Sequence, residues 1–257
     1  MKEIDKTAVV SPSAVLEDGV FIGPYCVIGP NVKICAGARL MSHIVIDGYT
    51  TIGASCSIFP FASIGTQTQD LKYKGGKTFV EIGEGTTLRE YVTVNSGTEE
   101  GEVTKVGKKC HVMAYCHVAH GCKVGNEVIM ANCATLAGYV TVEDMAVIGG
   151  LAAVHQFVRI GKMCMIGGCS KITQDCPPFM LVDGNPVSVH GPNSVGLKRR
   201  GINENAQRLI KEAYKILYRQ NLSVSQAVEK IKAELSLCEE IEYLLKFIEL
   251  SQRGIIK

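Results

Sequence analysis

The chain has 257 residues, a net charge of +2, no tryptophan and only 6% aromatic residues. The near-neutral balance carries no nucleic-acid or membrane-surface signature. Its most apolar run, "MAVIGGLAAV", falls far short of the ~18 residues a spanning helix needs.

The first residues, "MKEIDKTAVV", contain no apolar leader segment. The sequence therefore reads as soluble and cytoplasmic, with no stable membrane insertion. With so few aromatics, the core must be built from Val, Ile, Leu, Ala and Cys. Eleven cysteines occur, none in a CxxC pair. In a long chain with no secretion signal they read as reduced, small apolar packing residues.

From Val10 onward every sixth residue is a branched aliphatic: Leu16, Ile22, Ile28, Ile34, Leu40, Ile46, Ile52, Ile58 and Ile64. An excursion follows, "TQTQDLKYKGGKTFVE", near 65–81. The phase resumes at Ile82, Leu88 and Val94, breaks again at "NSGTEEGEVTK" near 95–105, and runs from Val106 to Ile172. A second stripe lies two residues before each aliphatic. It is small or branched, and holds Cys26, Cys56, Cys110, Cys116, Cys122 and Cys164. Positions two apart on a strand share a face. Each hexad is thus a short strand with two inward residues, and the glycines just after the aliphatic (Gly23, Gly29, Gly107, Gly125) mark where the chain turns. Three hexads close one coil of a mainly β fold, a parallel β-helix.

The repeat ends near "QDCPPFMLVDGNP". From about Leu197 the pattern becomes helical: "NENAQRLIKEAYKILYRQ" with Asn203 as N-cap, then "SVSQAVEKIKAEL" and "CEEIEYLLKFIELSQ". The expected domains are a β-helix over 1–192 and a helical domain over 193–257.

Within "HVAHGCKVG", Val118 and Cys122 belong to the inward stripes, so His117 and His120 face outward. Gly138 stacks on His120 one coil on, and Gln156 stacks on Gly138 with His155 beside it. A bare glycine lets a ligand approach the backbone N–H. An outward imidazole can take a proton from a hydroxyl, and an exposed N–H can hold the resulting oxyanion. That combination suits acyl transfer.

The ordered motifs "QDLKY", "HVAHGC", "TLAGYV", "GGLAAVHQF", "MIGGCS", "DCPP", "GNP", "GLKRRG" and "AYKILYR" resemble the UDP-N-acetylglucosamine O-acyltransferases that begin lipid A synthesis. The resemblance covers nearly the whole chain. It implies a left-handed coil, a homotrimer and transfer of a 3-hydroxyacyl chain from acyl carrier protein to the sugar's 3-hydroxyl. It implies no cofactor and no metal, since the phosphopantetheine thioester is a substrate. His120 matches the general base and Gly138 the oxyanion glycine. His117, Tyr139, His155 and Gln156 match positions lining the sugar and acyl site. Asp70 and Lys72 match a loop that reaches a neighbouring subunit's cleft. Gly168 matches the position that measures the acyl chain's far end, and Asn193, Arg199 and Arg200 match groups near the nucleotide. "GLKRRG" could also dock an acidic carrier protein.

The sequence departs from the family at four places. Gly121 stands where an acid usually follows the base, Tyr139 and Asn95 stand where histidine is common, and Val195 replaces a glutamate. These keep two alternatives open: the same transfer to a 3-amino sugar, and a non-catalytic scaffold. A trimeric zinc enzyme of carbonic anhydrase type is disfavoured by the spacing of His111, His117 and His120. The N-acyltransferase sister branch normally carries an additional N-terminal domain.

Overall fold

The computed structural model describes residues 1–257. Short strands follow at six-residue spacing and stack into three largely parallel sheets, the faces of a triangular prism. The first face begins with Glu3–Ile4, the second with Val9–Val10 and the third with Val15–Leu16. Each strand pairs with its counterpart one coil on, as Glu3 pairs with Phe21 and His117 with Thr135.

Alternation along the strand decides what is buried. Ile28 is 2% exposed, and Val27 beside it is 44%. The six stripe cysteines are buried and unbridged. Burial pushes the Cys56 and Cys116 thiols up to about 11 and that of Cys122 to about 12. They are packing groups, not nucleophiles.

The corners differ from the sequence expectation. The glycine after each aliphatic is not where the chain turns. It is there because adjacent coils approach closely: a Cβ on Gly107 would stand 2.3 Å from the carbonyl oxygen of Gly125. The turn is made two residues later, in left-handed backbone, often by a large residue. Tyr25, Tyr91, Tyr115, Tyr139 and Phe157 all have φ between 58° and 65°. Their rings stack from coil to coil, as Tyr91 on Tyr115 at 4.8 Å and Tyr139 on Phe157 at 5.0 Å. This stacking helps offset the roughly 1–2 kcal/mol that left-handed backbone costs. The residue just before takes no part in the ladder through its N–H, and Pro24, Pro60 and Pro178 all occupy that position.

Both excursions leave the corner between the second and third faces. They are narrower than expected, since Ser63–Thr66, Phe79–Ile82 and Val103–Val106 continue as longer strands. They also touch each other: the Lys77 N–H donates to Glu100 Oε2 at 2.8 Å.

An antiparallel hairpin, Met180–Gly184 with Val187–Pro192, closes the prism. Four helices follow: α1 (Ser194–Arg199), α2 (Glu204–Arg219), α3 (Val224–Glu234) and α4 (Glu239–Glu249). Asn203 caps α2, and Ser223 with Gln226 forms a capping box on α3. No helix is long and apolar enough to cross a membrane.

The tail is tied back to the prism by Asp175, which is 1% exposed. Its carboxylate accepts the Arg159 N–H at 2.8 Å and the Ser251 hydroxyl at 2.7 Å. Its backbone pairs with Gly254 and Ile256. Asp175→Ala strands both donors and should destabilise the fold by about 2–3 kcal/mol, read as a lower urea midpoint.

Candidate active site

The prism places the outward groups in columns, and one corner gathers His117, His120 and Gly138. His117 opens the two-residue strand His117–Val118 on the second face, and Val118 is the inward partner. The His117 ring is recessed. Its Nδ1 is hydrogen-bonded to Thr93 Oγ1, one coil below, at 2.7 Å. Burial, and then the neighbouring His120, hold its pKa below the usual histidine value.

This has a pH consequence. The folded chain resists protonating His117 while the unfolded chain accepts the proton near pH ~6.5. The stability is present above that pH and is lost as pH falls through the lower folded value. The native urea midpoint should therefore drop more between pH 7.5 and 5.5 than that of His117→Gln.

His120 takes the turn position at which the ladder needs no N–H, and Gly138 takes the same position one coil on. The imidazole lies against Gly138. A Cβ there would stand 2.2 Å from Nε2, 2.7 Å from Cε1 and 2.9 Å from Cδ2 of His120. The N–H of Gly138 has no backbone or side-chain acceptor in the fold. The N–H of the next residue, Tyr139, donates to His120 O at 2.9 Å and locks the two coils together. A base nitrogen and a free backbone donor are thus held side by side.

The first excursion folds over this pair. Asp70 Oδ2 lies 3.6 Å from His120 Nε2. Asp70 Oδ1 accepts the Lys72 N–H at 3.0 Å. That bond, helped by His120, keeps the Asp70 carboxyl below its ordinary range. Asn95 anchors the loop, donating to Gln67 O at 3.0 Å and to Thr66 Oγ1 at 3.2 Å. The result is a cleft of about 460 Å³ lined by Gln69, Asp70, Leu71, Lys72, Asn95, His117, Ala119, His120 and Gln156.

Asp70 and Lys72 lie at the cleft of their own chain, because the loop leaves the same corner that carries His120. The sequence reading did not single out Gln69 and Leu71. Both sit in the excursion, where no period marks an inward or outward position.

The remaining site residues are spread around the prism. His155 is exposed, with Nδ1 3.1 Å from Gln156 O, and does not line the cleft. Tyr139 stands edge to face with His120, ring centroids 5.1 Å apart, and its other side borders a second depression with Phe157 and Arg159. Gly168 lies on the corner between the first and second faces. Asn193 is the cap of α1, accepting from the Gly196 N–H at 3.1 Å and donating to Met163 O at 3.0 Å. Arg200 is bonded to Glu127 on the third-to-first corner, and Arg199 is exposed on α1. Within one chain, Gly168, Asn193, Arg199 and Arg200 are not part of the His120 cleft, because they sit on other corners.

At the corner beside His120, Tyr139 fills the space above Gly121. A Cβ on Gly121 would stand 2.6 Å and 2.7 Å from two Tyr139 ring carbons.

The chain matches two family models. One is the bacterial transferase hexapeptide, at residues 13–48 and 104–138. The other is the UDP-N-acetylglucosamine O-acyltransferase domain 2, at 175–256. It is 53% identical over 258 residues, the full length of both chains, to the acyl-[acyl-carrier-protein]–UDP-N-acetylglucosamine O-acyltransferase of Thermodesulfovibrio yellowstonii. The chain belongs to the UDP-N-acetylglucosamine O-acyltransferase family. Two solved structures agree. LpxA of Acinetobacter baumannii is 42% identical with a TM-score of 0.95, covering 99% of each chain. The UDP-N-acetylglucosamine acyltransferase of Bacteroides fragilis is 37% identical with a TM-score of 0.96, covering 99% of this chain and 100% of that one. The fold is the left-handed β-helix of this acyltransferase family, followed by its C-terminal helical domain.

Proposed function

We propose that the cleft moves a 3-hydroxyacyl chain from acyl carrier protein to the 3-hydroxyl of UDP-N-acetylglucosamine, the first step of lipid A synthesis, with His120 as general base. The observation that carries this reading is the imidazole held against the free N–H of Gly138. His120 takes the proton of the sugar hydroxyl as its oxygen attacks the thioester carbon. The Gly138 N–H holds the oxyanion of the tetrahedral intermediate. Collapse breaks the C–S bond, and the imidazolium returns its proton to the departing pantetheine sulfur. The products are a sugar ester and free carrier protein. Asp70 and Lys72 position the acceptor from their own chain's loop. No cofactor or metal enters these steps.

The active form in this reading is a cytoplasmic homotrimer. Gly168, Asn193, Arg199 and Arg200 reach a His120 cleft only from a second copy, Gly168 beside the acyl chain and the others beside the nucleotide. Leu71, fully exposed at the loop tip, is covered in that assembly.

Mixing two inactive variants tests this arrangement. His120→Ala and Gly168→Trp each spoil a different half of a shared site. Co-refolded chains should regain about a quarter of native activity, because a random mixture restores both halves at one interface in four. No recovery in mixed trimers would place both residues in one chain's site.

A further inference from the structure

Two glycines from separate segments make room for one carboxylate. A Cβ on Gly97 would stand 2.7 Å from Glu102 Cβ and 2.8 Å from Glu102 Oε2, and a Cβ on Gly121 would stand 2.8 Å from Glu102 Oε1. Oε2 accepts the Thr98 N–H, with the Glu99 N–H at 3.4 Å, and this fixes the carboxylate. Oε1 is thereby aimed at the residue next to His120. Gly121 is itself pinned, its N–H donating to Thr104 Oγ1 at 2.9 Å. The Tyr139 ring covers the same glycine and meets His120 edge to face, at 81° between planes.

We infer that Glu102 is a positioning residue for His120: seated over Gly121, it backs the Tyr139 ring against the imidazole and supplies a negative charge that favours the imidazolium formed during transfer. The inference rests on the reading of His120 as the base. Glu102 makes no ion pair with the imidazole, whose own acidic contact is Asp70. It acts across the Tyr139 ring and the Gly121 backbone. Burial and the Glu102 charge together push the Tyr139 hydroxyl above its ordinary pKa, so that hydroxyl stays protonated beside the carboxylate.

The other titratable groups around His120 are Asp70 and Lys72 on the first excursion, His117 on its strand, and the buried Cys122 thiol. Glu99 and Glu100 share the loop with Glu102, and Lys105 is paired with Glu81. Glu102→Gln removes the charge but keeps an amide oxygen that can still accept the Thr98 N–H, which leaves Thr98 placed against Asp70.

The test is the pH dependence of kcat/KM, whose acidic limb reports the free-enzyme base. Glu102→Gln should lower kcat about five-fold, leave KM within about two-fold, and move the acidic limb down by about half a pH unit, as loss of a nearby negative charge requires. Glu102→Asp should keep the limb near its native position, and Glu99→Gln should leave both rate and limb native. Gly121→Ala pushes the same carboxylate and ring aside without altering Glu102, and also strains a left-handed residue at φ 64°, so its backbone is checked by circular dichroism first. It should reproduce the shift and decides the matter should the Gln variant not fold. A limb that does not move in the folded Glu102→Gln or Gly121→Ala protein overturns the inference. His120→Ala, run alongside, separates the two claims: native-like activity there defeats the reading of the base itself.

Discussion

Gly138→Ala should lower kcat by about 100- to 1,000-fold without unfolding the chain, a loss within the range supplied by a positioned base. The three atoms nearest to the added methyl all belong to the His120 imidazole, the closest at 2.2 Å. Gly138 does not lie in the left-handed backbone region, so alanine adds no strain to the main chain. Its N–H is not part of the ladder. The cost therefore falls on the base, which must swing away from the donor it stands beside. KM for the sugar should change little, since Gln69, Lys72 and Asn95 are untouched. Thermal unfolding by circular dichroism, read beside kcat, separates this outcome from a folding defect. A variant with native kcat would show that the imidazole and the Gly138 N–H do not act together.

His120→Ala should have the larger effect of the two, at least about 100- and up to about 10,000-fold in kcat, the range supplied by a positioned base. No neighbour can take over. Asp70 reaches the same Nε2 at 3.6 Å, but its carboxyl is a weaker base than imidazole. Its pKa is pulled further down by the Lys72 N–H. His117 is engaged with Thr93. His117→Ala should therefore cost less than His120→Ala, and steady-state rates at pH 8 compare them.

Much of this was legible in the sequence because the coil is periodic. An aliphatic every sixth residue, with a small residue two before it, identifies both inward stripes. It leaves His117 and His120 outside. The 18-residue coil puts Gly138 over His120 by counting alone. What could not be read lies where the period stops. The excursions have no inward stripe, so nothing showed that Asp70 folds back over its own corner, or that Gln69 and Leu71 share its cleft. The hairpin from Met180 to Pro192 sits in a stretch that reads only as the end of the repeat. The glycines after each aliphatic looked like turn residues. Their cause is the neighbouring coil, whose backbone at Gly23 and Gly107 and whose aspartate carboxylates at Gly29 and Gly125 leave no room for a Cβ, and a one-dimensional pattern does not contain that. Gly121 looked like a loss, an acid missing beside the base. In three dimensions its missing side chain is the space that Tyr139 and Glu102 occupy.

The most direct measurement is an acyl-transfer assay with UDP-N-acetylglucosamine and a panel of 3-hydroxyacyl carrier proteins, comparing the native chain with His120→Ala. The expected result is a 3-O-acyl sugar ester from the native chain, and almost none from the variant with its fold intact. A folded native protein that makes no ester at any chain length, or a variant that makes it at the native rate, would contradict the account.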